Sequence, residues 1–346
     1  MATYVNTGLL FNKHYFKDID FNGDYKTNLT NENTLKNINK NLISSKLDNS
    51  NPSQLAKQKI TLLTTYPGLV SGTGYAHESG VKGEFKLGFF FDYTTGLPVL
   101  PGSSVKGVLC DAFKKDNGNY IKYLLEEELN ISNDLSIKDL EKAIFENNEE
   151  NKSIYDRDFF FDAFPVGKTD KFLASDYITP HLEPLKNPIP IQFLKVLPNV
   201  QFQFNFDLKD FKDKNGTVLL SAEQKIQLFK LILLDLGIGA KTNVGYGQLV
   251  EPERMISLDE INVGDNLKCN IDQIIYRDAE NRFQVYLKPQ IEQYENYLSE
   301  LDKPYPSIKV IKAIKRQIET LEFIQCNVSR KTDDGRVLFS NKIIFE

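Results

Sequence analysis

An α+β fold in two units is what this chain predicts, and three observations predict it. Short β-rich runs and two helical runs follow one another in the order β-α-β-β-α-β, a split βαβ arrangement. A glycine-rich loop closes the second helical run and leads into a short apolar tail. After Glu251-Pro252-Glu253 the character changes and a separate C-terminal unit, residues 253–346, begins. With 346 residues the chain is long enough for each unit to bury its own core.

The elements follow from local pattern. Residues 1–56 open with an apolar run from Leu9 to Phe16 and then turn asparagine-rich through Asn28–Asn51. Such a stretch buries little apolar surface and predicts an extended N-terminal arm with room for one helix. Both an interaction arm and a disordered lead-in fit it. Ile60–Tyr66 is β-rich and ends at Pro67-Gly68. Phe85–Asp92 predicts a buried strand, bounded by Tyr93-Thr94-Thr95-Gly96. Pro101-Gly102 closes an extended segment, and Ser103 or Ser104 is a natural cap for a helix starting near Val105.

An insertion over residues 116–151 is charged and helical in pattern. Leu124, Leu125, Leu129, Leu135, Leu140 and Ile144 are spaced for a buried stripe, with a solvated acidic face opposite. Phe159–Phe161 predicts a core strand, followed by a loop carrying Lys168, Lys171 and Phe172. Residues 191–206 supply two strands, the second placing Val200, Phe202, Phe204 and Phe206 on one face. The second helix spans 221–236 and the last strand 244–250, which closes a first folded unit over 57–252. In the C-terminal unit, strands run through Ile261–Ile271 and Phe283–Leu287, and helical segments cover 289–301 and 307–319. A hairpin turns at Asp333-Asp334-Gly335.

Composition narrows the function classes. Hydrophobic residues make up 41% and charged residues 26%, ordinary for a soluble globular protein. The longest apolar runs fall short of a membrane span and the N-terminus carries no signal pattern, so no membrane partner is expected. The three cysteines, Cys110, Cys269 and Cys326, form no C-x-x-C pair, which fits a reducing cytoplasm with no zinc site and no metal or other cofactor. A formal charge of −5 argues against attraction of the whole surface to nucleic acid; any such contact must be local.

The stretch Gly237-Ile238-Gly239-Ala240-Lys241-Thr242-Asn243-Val244-Gly245-Tyr246-Gly247 is the most informative. Four glycines at the end of a helix cost backbone entropy unless something requires them. They permit positive φ angles and let a second backbone or a phosphate approach, and successive N–H groups in such a turn favour anions, with Lys241 beside them. A helix C-cap followed by a tight turn is the plainer reading. Alanine before the lysine excludes a Walker A loop, and a loop that follows a helix is not a dinucleotide fingerprint. The helix start near Ser103 and Ser104 is a second candidate anion site, assisted by Lys106, although most such serines only cap their own helix. Gly107 inside that helix costs about 1 kcal/mol relative to alanine and suggests close packing or a ligand there. His77 lies in a glycine-rich loop with no serine, cysteine or histidine partner in a recognisable motif, so a structural or ligand-contacting role is expected.

Leu97-Pro98-Val99-Leu100-Pro101-Gly102-Ser103-Ser104-Val105-Lys106-Gly107 before a helix, with the later Gly237–Gly247 loop, resembles the RAMP superfamily of CRISPR RNA-binding proteins. Further segments, Thr65–Leu69, Phe161–Pro165, Asp176–His181 and Asn187–Ile191, are similar to the sixth, capping RAMP subunit of type III-B (Cmr) effector complexes. The resemblance covers roughly residues 60–250.

The resemblance implies a ferredoxin-like (RRM-like) domain that holds CRISPR guide RNA, the crRNA, in a non-catalytic, cytoplasmic antiviral-defence subunit. Its partners would be the guide–target RNA duplex and other Cmr RAMP subunits. It nominates Ser103, Ser104, Lys106, Gly237, Gly239, Lys241, Thr242, Gly245 and Gly247 for the RNA backbone. Cys110 stands where the family usually carries a basic residue, which leaves one expected phosphate contact without its side chain. RAMP subunits commonly project a β-hairpin thumb, and residues 167–190, with Tyr177, Ile178 and His181, are its candidate here. A plain surface hairpin is the alternative. Val263-Gly264-Asp265-Asn266-Leu267-Lys268-Cys269 resembles the start of an S1-type OB barrel, with Phe283, Tyr286, Arg330 and Lys331 as its nucleic-acid candidates. A subunit-docking appendage is favoured over it because the face carries few aromatics. Two other functions stay open: a metal-independent guide-processing endoribonuclease using His77 or His181 with Lys241, and an adaptor that touches only proteins.

Overall fold

The computed structural model describes residues 6–22, 25–49, 56–72, 79–131, 135–146, 157–179, 190–252, 264–277, 282–289, 299–304, 323–331 and 337–344. Its first element is a short helix, α1 (Thr7–Leu9), which widens into a π turn over Leu10–His14; a long helix, α2 (Tyr25–Ile43), follows. The stretch that composition marks as an extended arm is therefore helical and docked. Leu35, Ile38 and Leu42 recur on one face of α2, and Leu35 and Leu42 are fully buried together with Phe11 and Tyr15. The asparagines that look like polar filler include a structural one. Tyr15 donates its hydroxyl proton to Asn39 Oδ1 (2.8 Å) and accepts from the Phe85 N–H (2.8 Å), while Asn39 Nδ2 donates to the Gly83 carbonyl (2.7 Å).

The main sheet takes β1 (Leu47–Asn49), β2 (Gln58–Thr64), β3 (Phe159–Phe160), β4 (Phe164–Thr169), β7 (Gln201–Asp207) and β10 (Leu249–Val250). Its order is β1-β4-β7-β2-β10, with β3 also on β7, and every pairing is antiparallel. Two further strands, β5 (Leu173–Ile178) and β6 (Ile191–Val196), form a separate antiparallel pair, and β8 (Phe211–Lys212) and β9 (Val218–Leu220) another. The fold is α+β with antiparallel sheets.

Helix α3 (Gly102–Lys114) connects β2 to the β3–β4 region, and the insertion continues it through α4 (Asn119–Tyr123) and α5 (Ile137–Glu141), each ending in a π turn. Helix α6 (Ala222–Leu236) connects β9 to β10. It starts at a capping box: Ser221 Oγ accepts from the Gln224 N–H (3.2 Å) and Gln224 Oε1 from the Ser221 N–H (2.9 Å). Helices and sheet meet through aromatics, Phe229 of α6 lying 5.8 Å from Phe206 of β7 and 5.9 Å from Phe160. Lys225 enters this layer with its charge and is held by Asp158 Oδ2 at 2.7 Å, both side chains buried. The predicted leucine stripe of the insertion is observed: Leu124, Leu125, Leu140 and Ile144 are buried, and Leu129 and Leu135 pack against them.

Four local expectations are corrected. Phe85–Asp92 forms isolated bridges at Leu87 and at Phe91, the latter with Pro98, and no extended strand, although Phe85 and Phe89 are buried. The Lys168 region, expected to be a loop, is strand β4, because β1 and β7 supply partners on both sides of a segment whose Pro165 and Gly167 weaken its own signal. Of the predicted core strand Phe159–Phe161, only Phe159 and Phe160 pair with β7, and Phe159 is exposed. On the face of β7 opposite the phenylalanines, Gln203 and Asn205 are buried as well and bonded to each other at 2.7 Å. The predicted last strand is reduced to Leu249–Val250, with a 3-10 turn over Thr242–Val244 before it.

Two compact units divide the chain, Met1–Pro252 and Glu253–Glu346. The second contains β11 (Asn266–Arg277), β12 (Arg282–Pro289), β13 (Ser299–Pro304), β14 (Phe323–Lys331) and β15 (Val337–Ile344). They form one antiparallel sheet ordered β13-β12-β11-β14-β15, whose end strands β13 and β15 also adjoin. Residues 299–301, expected at the end of a helix, are strand, because they ladder with β12. The 307–319 segment lies outside the described residues. Among the described residues no helix is long and apolar enough to cross a membrane.

Candidate nucleic-acid interface

Helix α6 ends at Gly237, and the loop after it lies along residues 68–70. Ile238 N–H donates to the Gly247 carbonyl (2.9 Å), Ala240 N–H to Val70 (2.8 Å), and Gly247 N–H to Gly68 (2.8 Å). This close backbone packing is why the loop needs its glycines. Gly247 has φ +74°, and a Cβ there would overlap the Ile238 carbonyl oxygen; Gly239, at φ +104°, would place one 2.6 Å from the Val70 oxygen. Gly237 is held in the same way against the Gly247 carbonyl, whereas Gly245 has only Pro67 Cδ at 3.5 Å.

The packing leaves donors over. The N–H groups of Gly239, Thr242 and Asn243 have no acceptor among the described residues, and Lys241, at φ +64°, sits between them. Of these residues, Gly239 and Thr242 border a cleft of about 340 Å³ between the loop and α3, and Lys241 and Asn243 are the chain neighbours of Thr242. The opposite wall is the exposed face of α3, where Gly107 and Asp111 follow at i and i+4, with Lys115 just past the helix end. Nothing lies within 4 Å of the place a Gly107 Cβ would occupy, so this glycine widens the cleft and packs against nothing. Gly237, Gly239 and Thr242 line the same cleft.

The start of α3 differs from the expectation. The helix begins at Gly102 with Pro101 at the cap position, so neither serine caps it. The Asp162 carboxylate accepts from the Gly102 N–H (2.7 Å) and already supplies a negative charge at the helix start. Ser103 and Ser104 are exposed on the first turn, Ser103 in line with Gly107. Lys106 donates through Nζ to the Phe145 carbonyl (2.8 Å) and ties the insertion to α3. His77 and His181 lie outside the described residues.

Tyr177 is on β5, 57% exposed. Its strand neighbour Asp176 joins the β5–β6 pair to the glycine loop: Oδ2 accepts from Tyr246 Oη (2.7 Å) and Lys195 Nζ (2.5 Å), and Lys195 also lies 5.7 Å from the Tyr246 ring centre. Burial works to raise the Asp176 carboxyl, but the bonds from Lys195 and Tyr246 outweigh it and hold the group below the usual carboxylate range. Burial, and then the bond to Asp176, push the Tyr246 phenol up. Sequence reasoning missed this tie, and also Tyr66, 85% exposed on the turn whose Pro67 touches Gly245. The Tyr-Pro-Gly run signalled a turn, not that the ring would stand in solvent.

With this geometry in place, comparison with known proteins assigns the family. The family model for the RAMP superfamily matches residues 61–250, over half of the chain and the whole of the cleft. The chain belongs to the RAMP superfamily. Within RAMP proteins it is 38% identical over 109 residues to the CRISPR system Cmr subunit Cmr6 of Pyrococcus furiosus, covering 27% of this chain and 30% of that protein. It is 28% identical over 167 residues to the corresponding Cmr6 subunit of Saccharolobus solfataricus, covering 47% and 48%. The chain thus spans less than half the length of the curated relatives it matches. Among solved structures, a type III-B Cmr-beta complex bound to cognate target RNA matches at 24% identity and a TM-score of 0.39, over 56% of this chain and 58% of the other. The crystal structure of Cmr6 from Pyrococcus furiosus matches at 26% and 0.31, over 56% and 98%. This is a Cmr6-like RAMP protein.

Proposed function

We propose that this chain is a non-catalytic guide-RNA-binding subunit that caps the backbone of a type III-B CRISPR effector in the cytoplasm. Its partners are other Cmr RAMP subunits and the guide–target duplex. The observation that carries the reading is the cleft between α3 and the glycine loop, where Gly239 and Thr242, whose N–H groups have no acceptor among the described residues, border open space beside Gly107, with Lys241 next to Thr242 in the loop. Backbone donors and one lysine suit a sugar-phosphate strand and read no base sequence, which is what a guide of variable sequence requires.

The strand order supports a ferredoxin-like assignment of the main domain. Taking β2, β4, β7 and β10 as its four strands gives the spatial order fourth, first, third, second, with α3 and α6 as the two connecting helices. In the second unit the first strand pairs with the second and fourth, and the third adjoins the fifth, which supports an OB-like barrel. Among the described residues no group of three or more histidine, cysteine or carboxylate side chains is arranged to hold a metal ion.

Co-purification from the native host tests the reading. Repeat-tagged guide RNA recovered with other RAMP subunits is the expected result, with less RNA retained by Lys241→Ala. Recovery of proteins without RNA would make the chain an adaptor, and cleavage of free RNA by the pure protein would make it a nuclease.

A further inference from the structure

A second concavity, larger than the glycine cleft, is a groove of about 940 Å³ between α2, the β5–β6 pair and the turn at Lys82-Gly83. One wall is a polar stripe of α2 in which Asn33, Lys36, Asn37 and Lys40 follow at helical spacing. The other carries Lys82, Lys171 and the exposed ring of Tyr177. Side chains on a strand alternate, so Tyr177 faces this groove while Asp176 is bonded to the glycine loop on the other face. The groove and the bond to the glycine loop therefore lie on opposite faces of β5.

Charge and composition indicate the occupant. The four lysines Lys36, Lys40, Lys82 and Lys171 are exposed and form no ion pair among the described residues, in a chain whose net charge is −5. Of the two acids on the walls, Asp170 is already engaged by Lys46 at 2.5 Å, which leaves Glu32. Four uncompensated lysines along an elongated groove match a repeating anion. Asparagine amides among them offer donors and acceptors to base edges, and an exposed tyrosine offers a stacking surface. An acidic peptide would use the lysines but gives Tyr177 no comparable role.

We propose that this groove is a second nucleic-acid site that takes single-stranded RNA, with a base stacked on Tyr177 and phosphates along Lys36 and Lys40. It goes beyond the reading of the glycine cleft. Its α2 wall lies outside residues 61–250, the span that the family model matches.

The test uses the full chain and a short fluorescein-labelled oligouridylate, titrated by anisotropy at several salt concentrations. Wild type is compared with Lys36→Gln/Lys40→Gln, Tyr177→Ala and Lys241→Ala. The double lysine variant is expected to bind about tenfold more weakly, with a log–log salt slope shallower by about 0.7 per lysine removed. Tyr177→Ala is expected to lose about five- to tenfold in affinity with the slope unchanged. A 4-thiouridine-substituted strand should photocrosslink to the peptide bearing Tyr177. All three side chains are exposed, so circular dichroism should show unaltered folding. Wild-type affinity and slope in the double variant would overturn the proposal, even if Lys241→Ala weakens binding and so supports the glycine cleft. Loss of binding only in the double variant would leave the groove standing and remove the cleft. Lysine-dependent binding of polyglutamate with no binding of oligouridylate would make the groove a peptide site and overturn the proposal as well.

Discussion

Gly107 and Gly247 look equivalent in the chain and do opposite things in the fold. Gly247 is held at φ +74° against the Ile238 carbonyl, so Gly247→Ala must strain the loop and separate two packed backbones, at a cost on the order of 1–3 kcal/mol. Gly107 is an exposed helix residue with open space where a Cβ would be, so Gly107→Ala should raise stability by up to ~1 kcal/mol through helix propensity alone. If the cleft holds RNA, that same methyl narrows it and lowers RNA affinity. Thermal melts paired with RNA titrations check both. A Gly107→Ala variant that is stabilised and binds RNA as well as wild type would mean that the cleft is not the strand path. The sequence could say that these positions tolerate unusual geometry; only the neighbouring atoms say which of them uses it.

At the level of elements, the hairpin and the glycine loop behave as one unit because Asp176 joins them. Its carboxyl is depressed in the fold, so its contribution is fully present above the ordinary carboxylate value of about 4 and is lost as pH falls through the lower folded value. Melting temperature should therefore fall more steeply below pH 4 in wild type than in Asp176→Asn, which keeps an acceptor but does not titrate. Parallel curves for the two proteins would show that the tie contributes nothing. The legible elements were those with strong local signals. Helix α6 has an apolar run and a capping box within its own window. Strand β4 was missed because its proline and glycine weaken it locally, and the partners that overrule them come from residues 47–49 and 201–203.

Across the whole molecule, the N-terminal helices belong to the first unit's core, and the second unit is a separate five-stranded sheet. A 1–252 truncation should therefore retain a cooperative melt, whereas removing residues 1–49 should destabilise the remainder by exposing the apolar surface at Phe85, which Tyr15 covers, and at Phe91, which Phe11 covers. Aggregation of the 1–252 chain under conditions where the full chain is monomeric would show that the units depend on each other.

By itself the sequence determined the α+β class, the two helices that border the glycine loop in the fold, the loop as a turn of unusual geometry, and the RAMP resemblance. Each of these is encoded in a short window, as a 3.6-residue period, a cap, or glycines where φ is positive. The tertiary structure alone decided that an asparagine-rich segment is docked, that Lys106 is engaged by the insertion, and which loop N–H groups have no acceptor. Those outcomes depend on partners far along the chain, Tyr15 with Phe85, Lys106 with Phe145 and Gly247 with Gly68. Burial and hydrogen-bond satisfaction are properties of such pairs, and no local window contains both members.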